Sequence, residues 1–201
     1  MERSTYHHGD LRNALVAAAT SAVRAGGPGA LVVREVAREV GVSPNAAYRH
    51  FAGHADLLGT VAEHARGAMG AAMAEELGAV GPHADPLALA RSRLGAVGRA
   101  YVEYAVAEPG LFRVAFGERP EGPPRCVGGP DPWAMLQERL DEMDAVGGLG
   151  PRGREGADTV AWASVHGLAE LLVGPLAGLD DEARAVAVER QLAVVAAGLA
   201  A

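Results

Sequence analysis

Val33-Arg34-Glu35-Val36-Ala37-Arg38-Glu39-Val40-Gly41-Val42-Ser43-Pro44-Asn45-Ala46-Ala47-Tyr48-Arg49-His50-Phe51 is the stretch that decides the fold. Val33, Val36, Ala37 and Val40 fall at i, i+3, i+4 and i+7, the spacing of one buried helix face. Gly41 stops that helix and supplies the left-handed backbone of a tight turn. Ser43 followed by Pro44 is an N-cap with a first-position proline, so a second short helix starts there and runs to about Phe51. Ala47 and Phe51 point inward, while Asn45, Ala46, Tyr48, Arg49 and His50 point outward. Small Ala37 lets the two helices cross closely. A helix of this kind fits a major groove, with side chains at its start meeting base edges. On spacing alone the same segment is equally an ordinary αα-corner of a helical protein.

The flanking chain is punctuated in the same way, and every strong periodicity is helical. Asp10 caps an expected helix bearing Leu11, Leu15, Ala18 and Ala22, stopped by Gly26-Gly27-Pro28. A longer helix from about Asp56 has Leu58, Val61, Ala65, Ala68 and Ala72 as its expected inner face. Asp85-Pro86 opens a segment reaching about Ala107, and Pro109 opens a short one ending near Gly117. Residues 117–131 hold four Gly and four Pro and read as a loop. Asp131-Pro132 opens a helix carrying Trp133, Leu136, Leu140 and Met143. After a Gly-rich linker at 147–153, two apolar helices close the chain at about 155–173 and 181–199. The first is ended by Gly174-Pro175 and the second capped by Asp180. The expectation is an all-α chain of nine or ten helices: a helix-turn-helix DNA-binding domain over 1–58 and a helical dimerisation and effector-binding domain over 59–201.

Composition bounds the function. Hydrophobic residues make up 49% of the 201 and aromatics only 4%, so Ala, Val and Leu build the core. A net charge of −7 argues against a nucleic-acid partner until its placement is considered. Residues 1–60 carry six Arg (3, 12, 24, 34, 38, 49) and five acids (2, 10, 35, 39, 56), leaving +1 there and −8 in the remainder. Local placement matters more than the total for a duplex partner. Cys126 is the single cysteine, which excludes an intramolecular disulfide and fits a reducing compartment. The polar N-terminal residues carry no signal-peptide core. The longest apolar run, Leu192 to Ala201, has about half the length of a membrane span. These features predict a cytoplasmic protein without a membrane association.

The quoted stretch and its surroundings resemble the TetR family of bacterial repressors. The resemblance is carried by Tyr6-His7-His8-Gly9-Asp10-Leu11-Arg12, Arg34-Glu35-Val36-Ala37, Gly41-Val42-Ser43, and Tyr48-Arg49-His50-Phe51 with Asp56-Leu57-Leu58. Further on, Trp162-x-x-x-His166-Gly167-Leu168 is similar to the Trp-His-Gly motif that names the C-terminal domain of one branch. The resemblance implies that Tyr48 and His50 contact backbone phosphates, that Ser43, Asn45 and Ala46 face the groove beside Arg49, and that Arg34 lies near the backbone. It also implies a homodimer bound to a double-stranded operator and released by a small-molecule effector. Two positions depart from the pattern. Val32 stands where the family has Ser or Thr, removing a cap and its phosphate bond. His54 stands where the family has Lys, changing the phosphate contact at the start of the fourth helix.

The remaining chemistry-bearing residues are sparse. Tyr101, Tyr104, Phe112, Phe116, Trp133, Trp162 and His166 are the candidate pocket residues, a cluster suited to a mostly apolar ligand fixed by one or two hydrogen bonds. Trp162, His166 and Glu170 recur at i, i+4 and i+8, which equally suits a packed Trp beside a hydrogen-bonded His. His7, His8 and Asp10 match no strong metal motif. Cys126 has no second cysteine to resolve a sulfenic acid. With no triad, P-loop or zinc pattern, no enzyme, cofactor or metal is expected. Two rivals stay open at this point: a DNA-binding regulator without effector, or an activator.

Overall fold

The computed structural model describes residues 8–117 and 125–201, with the side chains of 8–10 outside the description. The expected Asp10 cap, the His7-His8-Asp10 group, the Tyr6–Asp10 part of the family resemblance and residues 118–124 of the expected loop therefore lie outside the described residues. Among the described residues there are nine α-helices, one short 3-10 helix and no strand. The helices are α1 His8–Gly26, α2 Val33–Glu39, α3 Pro44–Tyr48, α4 His54–Gly78, α5 Pro86–Ala107, α6 Pro109–Ala115, α7 Pro132–Ala145, α8 Ala157–Leu172 and α9 Asp181–Ala200. The 3-10 helix, Pro28–Ala30, follows the Gly-Gly-Pro stop of α1.

The chain packs as two units, Met1–Ala65 with Glu108–Arg125, and Arg66–Ala107 with Cys126–Ala201. The expected boundary at 58/59 falls inside α4, but the first unit runs seven residues further and takes in α6, which the sequence placed with the C-terminal domain. The physical reason is a close approach: a Cβ on Gly110 would overlap the Val23 carbonyl, so glycine lets α6 lie directly on the end of α1. Arg24 Nε reaches both Glu108 carboxylate oxygens at 2.8–2.9 Å beside it. Counted by these units, the first holds nine Arg and nine acids and is neutral, and the second carries the whole −7.

The first unit closes around Leu15, Ala19 and Val23 of α1, Val36 and Ala37 of α2, Ala47 of α3, Phe51 between α3 and α4, Leu57 and Val61 of α4, and Leu111 of α6. Val23, not Ala22, completes the inner face of α1, and Ala22 is only half-buried. The recognition-type helix is shorter than its periodicity suggests. It ends at Tyr48 because the next amides, Arg49 and His50, bond to carbonyls three residues back and tighten the turn. Helix α4 starts at His54, two residues before the expected Asp56. Asp56 sits inside the first turn, where its carboxylate accepts the Ala52 N–H at 2.8 Å.

The second unit is organised on α5, which packs against α7, α8 and α9. Ala90 and Leu94 meet Leu140 and Met143 of α7, Leu149 and Ala157 in one apolar cluster. On α4 the inward stripe continues through Met69 and Met73, while Ala68 is exposed and Ala72 half-buried. Alanine's small side chain gave the period but misplaced the face by one residue. On α7, Met135 takes the buried place and Trp133 stays half-buried. Asp131 and Asp180 cap α7 and α9 through the amides of Trp133 (3.0 Å) and Ala183 (2.8 Å). Arg99 on α5 bridges Glu189 of α9 (2.7 Å) and Glu76 of α4 (3.5 Å), so its charged state is favoured above its ordinary range.

Candidate nucleic-acid interface and effector site

The turn between α2 and α3 is a Schellman motif. Gly41, at φ +78°, donates to the Arg38 carbonyl at 3.0 Å, and Val42 donates to that of Ala37 at 2.9 Å. The Ser43 hydroxyl then accepts the Ala46 N–H at 3.3 Å and starts α3. Two caps across three residues fix the angle between the helices, and buried Ala37 and Ala47 set their separation. Val32 caps α2 with no side-chain hydrogen bond, as its residue type requires.

Every DNA-facing candidate lies on the first unit. Arg34, Ser43, Asn45, Tyr48, Arg49 and His54 are exposed, and Ala46 and His50 are half-buried. Tyr48 keeps 49% of its surface in solvent, an unusual position for an aromatic with a core one turn away. Arg34, Glu35, Arg38, Gly41, Val42 and Pro44 line an open depression of about 570 Å³ on this face. Sequence reasoning passed over two contributors. Arg38 sits at that depression, 3.4 Å from Glu35. The Arg12 guanidinium lies 4.9 Å above the Phe51 ring and fastens α1 over the end of α3.

The seven pocket candidates divide between the units. Phe112 and Phe116 stand 5.4 Å apart on the first unit. Phe112 is fully buried, and Phe116 packs against the core formed by α1 and its neighbours. The other five, Tyr101, Tyr104, Trp133, Trp162 and His166, fall on α5, α7 and α8 of the second unit. There Trp133 and Trp162 meet edge to face at 5.4 Å, and Trp162 lies 5.4 Å from the His166 ring.

A directed hydrogen-bond chain runs through this cluster. Trp162 Nε1 can only donate, so the Tyr101 oxygen accepts there at 3.3 Å. That leaves the hydroxyl hydrogen for His166 Nδ1, 2.8 Å away, an arrangement that suits a neutral imidazole. Burial pushes His166 below its ordinary value, against a smaller opposing pull from Glu170, whose carboxylate is 3.9 Å from Nε2. Burial also drives the Tyr101 phenol well above its ordinary range, so it remains a hydroxyl. The cluster can therefore offer fixed, uncharged hydrogen-bonding groups on an aromatic wall. Among the described residues no group of His, Cys, Asp and Glu could hold a metal, and no helix is long and apolar enough to cross a membrane.

Helical throughout the described residues, with a capped helix-turn-helix in its first unit, the chain has an architecture that suits a DNA-binding regulator. Residues 15–61 match the family model described as bacterial regulatory proteins, tetR family. Residues 94–200, just over half the chain, match that of the tetracyclin repressor-like C-terminal domain. The chain belongs to the TetR family of transcriptional regulators. A protein of unknown function from Rhodococcus sp. RHA1 shares 30% identity over 99% of this chain and 100% of its own, with a TM-score of 0.77. A bacterial regulatory protein in the tetR family from Rhodococcus RHA1 shares 18% over 94% and 96%, with a TM-score of 0.63. A TetR variant from Acinetobacter baumannii AYE in complex with minocycline shares 20% over 96% of each chain, with a TM-score of 0.57. No curated protein matches the chain at a significant level.

Proposed function

We propose that this regulator is a cytoplasmic homodimeric repressor, released from its operator by a small, mostly apolar effector held at Tyr101, Tyr104, Trp133, Trp162 and His166. The observation that carries the reading is the outward face of the last two helices. Val160, Ala163, Gly167 and Leu171 form one exposed apolar stripe along α8. Ala183, Val186, Ala193, Val194 and Ala197 form another along α9, broken at its middle by exposed Arg190, with Val186 53% and Val194 64% exposed. Apolar stripes on neighbouring helices want a partner, and a second copy supplies the same two helices for a four-helix bundle.

A dimer presents two recognition helices, which must reach successive major grooves roughly 34–36 Å apart. Tyr48 and His50 hold phosphates, with His54 and Arg34 nearby, and Asn45 and its neighbours read bases. Effector binding favours a dimer geometry that no longer matches that spacing, with a coupling of about 1–3 kcal/mol. The minocycline complex of the Acinetobacter neighbour supports a ligand site in this fold. The Trp162–His166–Gly167 pattern keeps the Trp-His-Gly branch as part of this proposal.

The test is a mobility shift on the chain's own upstream region, paired with a reporter gene. Expected are a sharp shift with steep salt dependence and higher reporter output when the regulator is deleted. Lower output on deletion would make it an activator and overturn the repressor reading.

A further inference from the structure

The face proposed to read DNA has no net fixed charge. Residues 33–56 set Arg34, Arg38 and Arg49 against Glu35, Glu39 and Asp56, which sum to zero. The rest of the first unit does not correct this, because its nine Arg meet nine acids. The chain has no lysine, so no other side chain supplies a fixed positive charge. Yet a duplex is a dense row of phosphates, and much of a protein's affinity for it comes from cations that release its counterions. Histidine fills the gap. Five of the seven histidines belong to the first unit, at positions 7, 8, 50, 54 and 64. His50 and His54 bracket the turn from α3 into α4, the first half-buried and the second exposed. Histidine is the side chain whose charge changes between about pH 5 and 8. With both rings protonated, residues 33–56 go from 0 to +2.

The charged groups on the elements around these two rings are largely committed to local partners. On α2, which packs against α3, Glu35 lies 3.4 Å from Arg38, and Arg34 and Glu39 are exposed. On α1 the Arg12 guanidinium lies 4.9 Å above the Phe51 ring, and Arg24 is bonded to Glu108 at the start of α6. Arg49 precedes His50 and is exposed. In the first turn of α4 the Asp56 carboxylate accepts the Ala52 N–H at 2.8 Å. A phosphate brought by the duplex is therefore the main new charge that either imidazole meets.

We propose that the DNA-reading face takes its net positive charge from protons on His50 and His54, so that binding to any duplex tightens as the medium turns acid and loosens as it turns alkaline. The inference rests on the phosphate roles given to these residues above and needs no effector. A phosphate beside an imidazole favours its charged form, so the complex holds more protons than the free protein. By linkage, affinity is highest below the histidine range and falls as pH rises through it. The two rings set the strength of binding and not its sequence, because phosphate contacts carry no base information.

The full chain is titrated into a labelled duplex carrying its upstream region and into a random-sequence duplex, from about pH 6 to about pH 8. Fluorescence anisotropy is read at several salt concentrations. Affinity for both duplexes falls on the order of tenfold across that range. The slope of log affinity on log salt becomes shallower by ~0.9 for each proton lost. Acid destabilisation through His166 has the opposite sign, weakening binding at low pH, and cannot imitate this result. His54→Gln, at an exposed position, reduces the pH dependence and the steepness of the salt slope at about pH 6. His54→Arg binds both duplexes more tightly than the unsubstituted chain at about pH 8. His64→Gln, outside the reading face, leaves the profile unchanged. A flat pH profile in the unsubstituted chain overturns the proposal and leaves the operator reading standing. So does a full pH response that survives in both His54→Gln and the doubly substituted His50→Gln, His54→Gln chain. Binding to neither duplex at any pH would remove the phosphate roles themselves and this inference with them.

Discussion

Replacing Tyr101 with Phe removes one oxygen atom from the second unit and keeps the ring. That oxygen serves two partners, Trp162 Nε1 at 3.3 Å and His166 Nδ1 at 2.8 Å. The shorter bond is near the optimum for a hydroxyl donor and contributes about 1–1.5 kcal/mol net, and the longer one about 0.5. The residue is only 5% exposed, so water cannot replace the hydroxyl directly, although half-buried Trp162 and His166 regain part of their hydration. The expected loss is about 1.5 kcal/mol, the lower end of the sum of those two bonds, because of that regained hydration. With a urea m-value of about 1–3 kcal/mol/M, the midpoint falls by about 0.5–1.5 M. Urea unfolding followed by tryptophan emission measures this, because both tryptophans lie in the same unit as Tyr101. A stability loss below about 0.5 kcal/mol would show that the chain of donors is not formed in solution.

Other outcomes follow from the same geometry. Leu171→Glu, on the exposed stripe, yields a folded monomer by sedimentation. Val195→Glu, at a site only 7% exposed, unfolds the second unit instead, and a stable dimer from Leu171→Glu would remove α8 from the interface. Tyr48→Ala and His50→Ala weaken binding to all duplexes, while Asn45→Ala mainly alters sequence preference, as competition with random duplex will show. Equal losses on both would erase the division between phosphate and base contacts. His166 binds a proton more weakly folded than unfolded, so the unfolded chain takes up more protons as pH falls through 6.5. Stability is therefore complete above that pH and declines below it. His166→Gln should flatten this slope in urea midpoints measured across the window, and an unchanged slope would place the titration elsewhere.

The reading unit was legible because its signals are local. Gly41 demands a left-handed turn and Ser43-Pro44 a helix start, and both act within a few residues of themselves. The membership of α6 was not legible, because it depends on Gly110 meeting Val23 from 87 positions away in the chain. The aromatic cluster was half visible. Composition gathered the aromatic residues, but nothing in their spacing separates Phe112 and Phe116, which pack with the first unit, from Trp133 and Trp162. The outward face of α9 was ambiguous for a related reason. Ala and Val occupy both sides of that helix, and only packing distinguishes buried Val195 from Val194 beside it.

The brevity of α3 has a physiological consequence. Five residues make little more than one turn, and a helix that short does not persist alone in water. Its shape is borrowed from Phe51, Ala47 and the two caps around Gly41 and Ser43. In the proposed role, α3 therefore has no graded, partly frayed form that still reads sequence. As temperature rises, recognition survives until the first unit melts and then disappears with it, so heat would switch the controlled gene as a step and not as a slope.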